Sequence, residues 1–315
     1  MKNDFLTMIE QADTIAITGH VRPDGDCVGS TVGLYNYIIS NYDKQVQIYL
    51  EEFSKDFLFL HDADKISHTP TAQVYDLCIA VDCGDKERQG DFLPIFEHAK
   101  HTMCVDHHIS NPGFGEVCYV DAEACSAAEA LYKLMEQEKI NKNAAEALYM
   151  GIVHDTGVFK HSNTTKSAMS IAGDLIEKGA NPSFIIDETF YKKTFVANKL
   201  LGIALTKAEQ HAGGRIISTV LETEDFRKSG AGKIDTDGIV DQLRITEGTE
   251  TTVFIYQTGE DEYKISLRSN NIVDVSRISC NHGGGGHVRA AGFSMKGDIK
   301  EILAGVIEEI KEQLC

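Results

Sequence analysis

Short apolar runs alternate with longer segments of mixed character through the first half of the chain. The apolar runs are of strand length and lie at 14–18, 45–50, 76–81, 102–105 and 117–120. Longer segments typical of helices lie between or after them, at 28–40, 126–137, 143–153 and 166–177. Ser126-Ala-Ala-Glu129 has the capping-box pattern that begins a helix. This alternation predicts a mainly parallel sheet with helices on both faces.

The second half of the chain has a different order of elements. Strands are predicted at 216–221, 252–256, 263–267 and 292–295, and helices at 237–244, 273–279 and 299–313. That mixture indicates a smaller α+β domain. Between the halves, residues 183–210 are mostly helical in character and are followed by the break Gly213-Gly214. The predicted fold class is α/β, with domains at 1–185 and 213–315 joined by a helical connector at 186–212.

Composition places the chain among ordinary globular proteins. It has 315 residues, of which 42% are apolar and 25% charged, enough for two domains with cores of their own. No apolar run is long enough to span a bilayer, and the N-terminal residues lack the apolar core of a signal peptide. We therefore expect a cytoplasmic protein without a membrane partner. Eight cysteines without a C-x-x-C pair indicate free thiols rather than disulfides or a zinc site.

Net charge limits the class of partner. The formal charge of −18 opposes a broad surface for duplex nucleic acid, but it permits a small anionic substrate in a local basic pocket. Between Tyr263 and Lys296 the chain carries five basic residues and one acidic residue. That window is the candidate for such a pocket.

Acidic and histidine side chains follow the predicted strands or close a helix in the first domain. The loop after the first strand carries His20, Asp24 and Asp26 in the pattern H-x3-D-x-D. Because the carboxyl ends of parallel strands meet at one edge of a sheet, we expect this loop and three further patches to converge. The further patches are Val81-Asp82-Cys-Gly-Asp85, Val105-Asp106-His107-His108 and His154-Asp155-Thr-Gly157.

Converging carboxylates repel one another and raise each other's pKa unless a cation neutralises them. Four aspartates and two or three histidines are enough ligands for two divalent ions with one bridging carboxylate. Two ions about 3.5–4 Å apart activate water and stabilise the charge of a phosphoryl transition state. Each patch alone has a simpler explanation, since Asp82 alone is more typical of a helix N-cap and His154 alone of a core or surface histidine. Four patches at strand or helix ends in one domain favour the metal site.

A glycine-rich loop lies inside the basic window of the second domain. Consecutive glycines let the backbone approach a ligand closely and present N–H groups to an anion. Basic side chains near the loop would add charge-assisted hydrogen bonds. A flexible linker is the simpler explanation, but the flanking histidines and arginine and the strand that follows favour a binding loop. The residues concerned are Gly284, Gly285, Gly286, His287, Arg289 and, on an earlier strand, Arg268.

The order and spacing of these motifs resemble the DHH phosphoesterase superfamily and its DHH-associated C-terminal domain over nearly the whole chain. Within the superfamily, the compact length is similar to that of the branch of nano-RNases and 3′-phosphoadenosine 5′-phosphate phosphatases. One departure is His161, where the resemblance leads us to expect an aromatic or apolar residue. The residues that carry the resemblance are His20, Asp24, Asp26, Val81, Asp82, Asp106, His107, His108, Asp155 and the loop from Gly283 to His287.

The resemblance implies two Mn²⁺ ions, or Mg²⁺ in their place, and a role for each matching residue. His108 would face the scissile phosphate and protonate the leaving oxygen, and Asp106 would be a ligand or would orient a histidine. The glycine loop, His287, Arg268 and Arg289 would bind the substrate from the second domain. One ion would be held by His20, Asp24 and Asp82, and the other by Asp26, Asp82, His107 and Asp155, with Asp82 bridging.

We therefore expect a manganese-dependent phosphoesterase, an oligoribonuclease of the exonuclease type, acting on short single-stranded oligonucleotides and on 3′-phosphoadenosine 5′-phosphate. An alternative on the same scaffold is a phosphodiesterase for cyclic dinucleotides or for linear dinucleotides such as pApA; a pyrophosphatase is a weaker alternative. A nucleotide-binding sensor that has lost catalysis is the alternative of another class. The preferred nucleotide, the polarity of degradation and a homo-oligomeric state stay open.

Overall fold

The computed structural model describes residues 2–314, which divide into two compact units. The first extends to Lys192 and the second begins at Lys193. Within these residues, no helix combines the length and the apolar character that crossing a membrane would require. The unit boundary falls inside the segment 186–212 that we expected to be a helical connector.

The first unit is built on a parallel sheet of five strands. Every neighbouring pair of strands in it is parallel, in the order β2-β1-β3-β4-β5. The central strand β3 is buried along its whole length, as its sequence Leu-Cys-Ile-Ala-Val requires. The strands are β1 Thr14–Thr18, β2 Gln45–Tyr49, β3 Leu77–Val81, β4 His101–Asp106 and β5 Val117–Val120.

Helices cover both faces of this sheet, and several of them begin at a side-chain cap. Asp24, Ser126 and Asn141 each accept a backbone N–H from the first turn of the helix that follows. A single π-helical turn, Asp187–Tyr191, follows the last helix of the unit. The helices are α1 Lys2–Gln11, α2 Gly25–Asn41, α3 Leu93–His98, α4 Ala127–Leu134, α5 Lys142–Asp155, α6 Lys166–Glu177 and α7 Pro182–Ile186.

Two helices, α2 and α5, pack closely against each other because glycines lie at their contact. A Cβ added at Gly29 would lie 2.5 Å from the carbonyl oxygen of Ala147 and 2.8 Å from the backbone nitrogen of Gly151. A Cβ added at Gly33 would lie 2.9 Å from the side chain of Leu148. This close approach holds the first turn of α2 against the last turns of α5, and both ends carry predicted metal ligands.

The second unit is a mixed sheet of six strands with helices packed on it. Its order is β10-β11-β9-β8-β7-β6, and only the pair β7–β8 is parallel. Ile255, Ile265 and Phe293 lie in its buried core. The strands are β6 Glu209–His211, β7 Ile216–Leu221, β8 Thr251–Gly259, β9 Glu262–Ser269, β10 Gly285–His287 and β11 Ala290–Lys296, and the helices are α8 Phe195–Thr206, α9 Thr223–Ser229, α10 Ile239–Arg244, α11 Val275–Asn281 and α12 Ile299–Leu314.

The predicted fold class is confirmed, and the differences are local. Helix α2 begins at Gly25, three residues earlier than expected, because Asp24 caps it. Helices α1, α3 and α9 and strands β6 and β10 were not predicted; β6 and β10 are three residues each, too short for a periodic pattern. Helix α8, which we placed in the connector, buries Leu200 and Ala204 in a core of the second unit.

Substituting Gly29 with alanine should destabilise the first unit. The added methyl group meets backbone atoms of α5 that cannot rotate away, so we expect a loss of about 1–3 kcal/mol, as for other overpacked sites. Gly173→Ala is the matched control, because a Cβ at this position in α6 meets nothing within 4 Å. It should be neutral or stabilise by up to about 1 kcal/mol. Urea unfolding of both variants measures the difference; equal stabilities would contradict the packing argument.

Candidate metal centre

The loop from β1 to α2 places three predicted ligands. His20 is buried, and its Nδ1–H donates to the carbonyl oxygen of Val21 at 2.9 Å. This hydrogen bond leaves Nε2 facing Asp24 Oδ1 at 3.7 Å and Asp82 Oδ2 at 3.4 Å. Asp24 uses Oδ1 to cap α2, accepting from the backbone N–H groups of Asp26 and Cys27 at 3.1 Å each. A single carboxylate therefore both begins the helix and faces the histidine.

Asp26 is fully buried and is held by hydrogen bonds on both oxygens. Its Oδ2 accepts from the backbone N–H of Ala127 at 2.6 Å, and Oδ1 accepts from the Ala128 N–H at 3.2 Å and the Ser30 hydroxyl at 2.8 Å. The two amides belong to the first turn of α4, where the helix dipole favours an anion. A Cβ at Gly151 would lie 2.5 Å from Asp26 Oδ1, so α5 must carry a glycine there.

Asp82 lies directly after β3 at the middle of the cluster. Its φ of 60° places it in the left-handed region, which aspartate tolerates better than most residues but which costs free energy. Its two oxygens point to different histidines: Oδ2 lies 3.4 Å from His20 Nε2, and Oδ1 lies 3.5 Å from His107 Nε2. Oδ1 is buried without a hydrogen-bond partner among the described residues. A carboxylate in this position can bridge two cations.

His107 and Asp155 complete the side of the cluster that faces Asp82 Oδ1. His107 Nε2 lies 3.1 Å from Asp155 Oδ2, 3.5 Å from Asp82 Oδ1 and 3.9 Å from Asp26 Oδ2. Asp155 is the last residue of α5, so its position depends on the packing of α5 against α2. The fold thus brings six predicted ligands together: His20, Asp24, Asp26, Asp82, His107 and Asp155.

The electrostatics of the cluster fit a site for cations. Burial and the nearby carboxylates of Asp82 and Asp155 raise the pKa of Asp26 well above its ordinary range. Burial alone would lower the pKa of His107, but Asp155 and Asp82 raise it to about 11. Protons therefore take up the negative charge when no cation is bound. Oxygen and imidazole ligands, together with the unpartnered Asp82 Oδ1, suit Mn²⁺ or Mg²⁺.

Asp106 and His108 form a hydrogen-bonded pair at the edge of this cluster, with His108 Nδ1 3.8 Å from Asp82 Oδ1. His108 Nδ1–H donates to Asp106 Oδ1 at 2.7 Å, and the Asn111 side-chain amide donates to Asp106 Oδ2 at 2.7 Å. Burial alone would raise the pKa of Asp106, but these two hydrogen bonds lower it. The His108 side chain is 42% exposed, so Nε2 is the ring nitrogen available to a substrate. Of the two roles expected for Asp106, this geometry favours the orientation of histidine.

The substrate-binding residues predicted in the second domain all lie in the second unit, on or beside β9, β10 and β11. Arg268 Nε donates to Asp241 Oδ1 at 3.2 Å, and Arg289 Nη1 donates to the carbonyl oxygen of Val273 at 3.0 Å. Gly284 is a close-packing position, because a Cβ there would overlap the carbonyl oxygen of Gly292.

Gly286 also packs too closely against β11 for a side chain, since a Cβ on it would lie 2.5 Å from the carbonyl oxygen of Ala290. Gly285 and His287 are exposed, and a Cβ on Gly285 would meet nothing within 4 Å. Close packing thus explains why two of the loop positions are glycines. The exposed positions are the ones free to contact a ligand.

Several residues at the site were missed by sequence reasoning. Asn111 was overlooked because a single asparagine in a loop carries no pattern. Arg88, whose Nη2 lies 3.4 Å from His20 Nδ1, follows β3 by seven residues and gave no signal either. Cys27 lies within ligand distance of His20 and Asp82, but burial raises the pKa of its thiol to about 11, which keeps it protonated at neutral pH.

Two histidines near Asp155, His154 and His161, contact an aromatic ring or a backbone carbonyl instead of the clustered carboxylates. The His154 ring packs edge-on against Phe57, with ring centroids 5.1 Å apart, and fills the space that a side chain on Gly25 would need. Burial lowers its pKa to about 4. His161, which departs from the expected pattern, is exposed, and its Nδ1 lies 3.3 Å from the carbonyl oxygen of Asp155.

Comparison with known proteins yields two family matches and full-length relatives. The DHH family, N-terminal domain, matches residues 14–152, and the DHHA1 domain matches residues 213–312. The bifunctional oligoribonuclease and PAP phosphatase NrnA of Bacillus subtilis is 28% identical over 94% of this chain and 93% of its own length. The protein of the same name from Thermus thermophilus is 28% identical over 95% of this chain and 90% of its own length.

Two further relatives differ in what they cover. The cyclic-di-AMP phosphodiesterase PdeA of Listeria monocytogenes is 26% identical over 92% of this chain, but the match spans only 46% of that protein. The crystal structure of an exopolyphosphatase-related protein from Bacteroides fragilis superposes with a TM-score of 0.83 at 24% identity, covering 99% of this chain and 95% of that one. At that identity the solved structure supports the fold alone.

Divalent cations should stabilise the protein through Asp82. Binding should raise the free energy of unfolding by about 3 kcal/mol when Mn²⁺ or Mg²⁺ is present at roughly a hundred times its dissociation constant. Asp82→Asn should lose most of this gain, yet in chelator its stability should stay close to that of the wild type, because the relief of carboxylate repulsion opposes the loss of the contacts with His20 and His107. Thermal unfolding with and without the ion measures both. Asp91→Asn, on an exposed aspartate, is the control and should keep the full gain; an undiminished gain in Asp82→Asn would contradict the assignment.

Proposed function

The chain belongs to the DHH family, and from that premise we propose that it is a metal-dependent phosphohydrolase of short oligonucleotides and of 3′-phosphoadenosine 5′-phosphate. The observation that carries the proposal is the position of Asp82, whose two oxygens face His20 and His107 separately. Similarity to the NrnA proteins over almost the full length of both chains supports the substrate class. The proposed division of labour assigns residues 1–185 to metal binding and catalysis and residues 213–315 to substrate binding.

Two Mn²⁺ ions are the proposed cofactors, with Mg²⁺ able to replace them. His20, Asp24 and Asp82 would hold one ion, and Asp26, Asp82, His107 and Asp155 the other. Bound there, the ions would activate a water molecule as the nucleophile and stabilise the charge that develops on the phosphoryl group. Proton donation and substrate binding are assigned to residues of the chain.

His108 is the proposed proton donor to the leaving oxygen. Its hydrogen bond to Asp106 raises its pKa, which keeps the imidazole protonated closer to neutral pH. Asp106 is a positioning residue, because it fixes Nδ1 and thereby directs Nε2 outward. Asn111 holds the other oxygen of Asp106 and so fixes the plane of the carboxylate.

Substrate binding is assigned to basic and glycine-rich positions of the second unit. Arg268, Gly284, Gly285, Gly286, His287 and Arg289 are the proposed contacts; Gly285 and His287 are exposed, and a Cβ on Gly285 would meet nothing within 4 Å. The formal charge of −18 would repel a long polyanion outside the site. A substrate of a few nucleotides meets less of this repulsion, so the charge favours short chains.

The second candidate is a phosphodiesterase of cyclic or linear dinucleotides. The Listeria relative supports it, but that protein is about twice the length of the match, whereas the NrnA proteins match over about nine-tenths of theirs or more. A nucleotide-binding sensor without catalysis is the third candidate. The clustering of the six proposed ligands speaks against it.

A panel of substrates with Mn²⁺ present tests the proposed function. We expect pApA, an RNA of about five nucleotides and 3′-phosphoadenosine 5′-phosphate to be hydrolysed, and a long RNA to be hydrolysed at least about tenfold more slowly, on the charge argument above. Cyclic di-AMP and pyrophosphate lie outside the proposed substrate class and should be hydrolysed little. Asp82→Ala should abolish turnover of every substrate. Hydrolysis of the cyclic dinucleotide alone would favour the second candidate, and tight nucleotide binding without any turnover would favour the sensor.

The role of His108 is testable through the leaving group. His108→Ala should lower kcat for pApA by a factor of about 10² to 10⁴, the usual contribution of a general acid. A substrate that releases p-nitrophenolate needs no proton on the leaving oxygen, so the same variant should lose far less activity on the p-nitrophenyl ester of thymidine 5′-phosphate. Equal losses on the two substrates would show that His108 serves another purpose. His98→Ala, on an exposed histidine of α3, is the control and should leave both activities unchanged.

A further inference from the structure

Two cysteines beside the Asp106–His108 pair lie in register on neighbouring strands. Cys104 of β4 and Cys118 of β5 are paired residues of the parallel ladder, so their side chains leave the sheet on the same face. Adjacent strands lie about 4.7–4.9 Å apart, inside the Cα separation of about 4.4–6.8 Å that a disulfide accepts. Cys104 is buried and Cys118 is half-buried, and both are free thiols.

The two thiols differ in exposure, and the pKa of the Cys118 thiol is lowered. The thiol of Cys104 acts as a hydrogen-bond partner that lowers the pKa of Cys118 to about 6. A lowered pKa increases the thiolate fraction of Cys118, and the thiolate is the form that peroxides oxidise. By contrast, burial raises the pKa of the thiols of Cys78 and Cys125. Cys118 is partly exposed and has a second thiol beside it as a resolving partner.

The loop after His108 connects this pair to the proposed catalytic dyad. Asn111 Nδ2 lies 3.6 Å from Cys104 Sγ, 2.7 Å from Asp106 Oδ2 and 2.9 Å from the carbonyl oxygen of Cys83. The same loop passes over the second thiol, since a Cβ on Gly113 would lie 3.9 Å from Cys118 Sγ. A shift of the Cys104 sulfur therefore acts on the side chain that fixes Asp106.

We propose that Cys104 and Cys118 form a reversible disulfide when peroxide is present, and that this bond slows the reaction by withdrawing Asn111 from Asp106. Peroxide oxidises the Cys118 thiol to a sulfenic acid and is reduced to water. The Cys104 thiol then attacks that sulfur, the S–S bond forms, and the hydroxyl leaves as a second water molecule. A dithiol reductant returns both thiols. The disulfide draws the sulfur of Cys104 toward Cys118 and so away from the Asn111 side-chain amide.

The effect on catalysis rests on the proposed function, whereas the disulfide does not. The experiment treats the Mn²⁺-loaded protein with hydrogen peroxide, maps the linkage by peptide mass spectrometry and measures turnover of pApA. We expect one peptide pair joined through Cys104 and Cys118 with the loss of two hydrogens. We expect kcat to fall at least about tenfold with KM nearly unchanged, because the proton donor loses its orientation but the substrate contacts do not change. Dithiothreitol should restore the rate.

Three variants separate this switch from general oxidative damage. Cys118→Ser should keep near-wild-type activity and lose the sensitivity to peroxide. Cys280→Ser, at an exposed cysteine of the other unit, should stay as sensitive as the wild type. Asn111→Ala should be slow from the start, and oxidation should slow it little further because the connecting side chain is gone.

Each outcome decides a part of the proposal. Absence of the Cys104–Cys118 linkage, or full activity once it has formed, would overturn it. If the protein hydrolyses nothing in the panel, the proposed function fails, but the switch is still measurable. The Asn111 side-chain amide signal in ¹H–¹⁵N spectra should then move on oxidation of the wild type and stay in place in Cys118→Ser; an unmoved signal in the oxidised wild type would overturn the connection to Asp106.

Discussion

Mutual repulsion among buried carboxylates is the constraint on which the first unit depends. Asp26, Asp82 and Asp155 come together around His107, and burial raises the pKa of Asp26 and of Asp155. Such a cluster is tolerated only where the surrounding structure holds it in place. The first turn of α4 holds Asp26 through two amides, and the left-handed backbone at Asp82 carries strain that β3 and β4 must offset. The glycine contact between α2 and α5 brings the loop after β1 next to Asp155.

The sequence predicts that most of these side chains converge because most of them follow strands. Each strand of the parallel sheet ends at the same edge, so a pattern of apolar run followed by aspartate or histidine is enough to expect convergence. His20, Asp82 and His107 meet as expected, at distances of 3.4 and 3.5 Å. The bridging position of Asp82 could be proposed but not located from sequence, because it depends on which way each carboxylate oxygen points.

The sequence could not predict the contacts that hold the site residues in place from distant parts of the chain. The amides of Ala127 and Ala128 hold Asp26 across about a hundred residues, and no local pattern marks them as its partners. The sequence gives no signal for Asn111 or Cys118 either. The contact of Asn111 with Asp106 depends on the path of one loop, and the proposed role of Cys118 depends on the register of β4 and β5. The glycine-rich loop was predicted as a ligand site from composition, yet close packing on β11 already accounts for Gly284 and Gly286.

The central claim is that two divalent cations share Asp82. The most direct measurement is anomalous X-ray diffraction at the manganese edge from crystals grown with Mn²⁺. The account predicts two peaks roughly 3.5–4 Å apart on either side of the Asp82 carboxylate, one beside His20 and the other beside His107. A single peak, or peaks that do not contact Asp82, would contradict it.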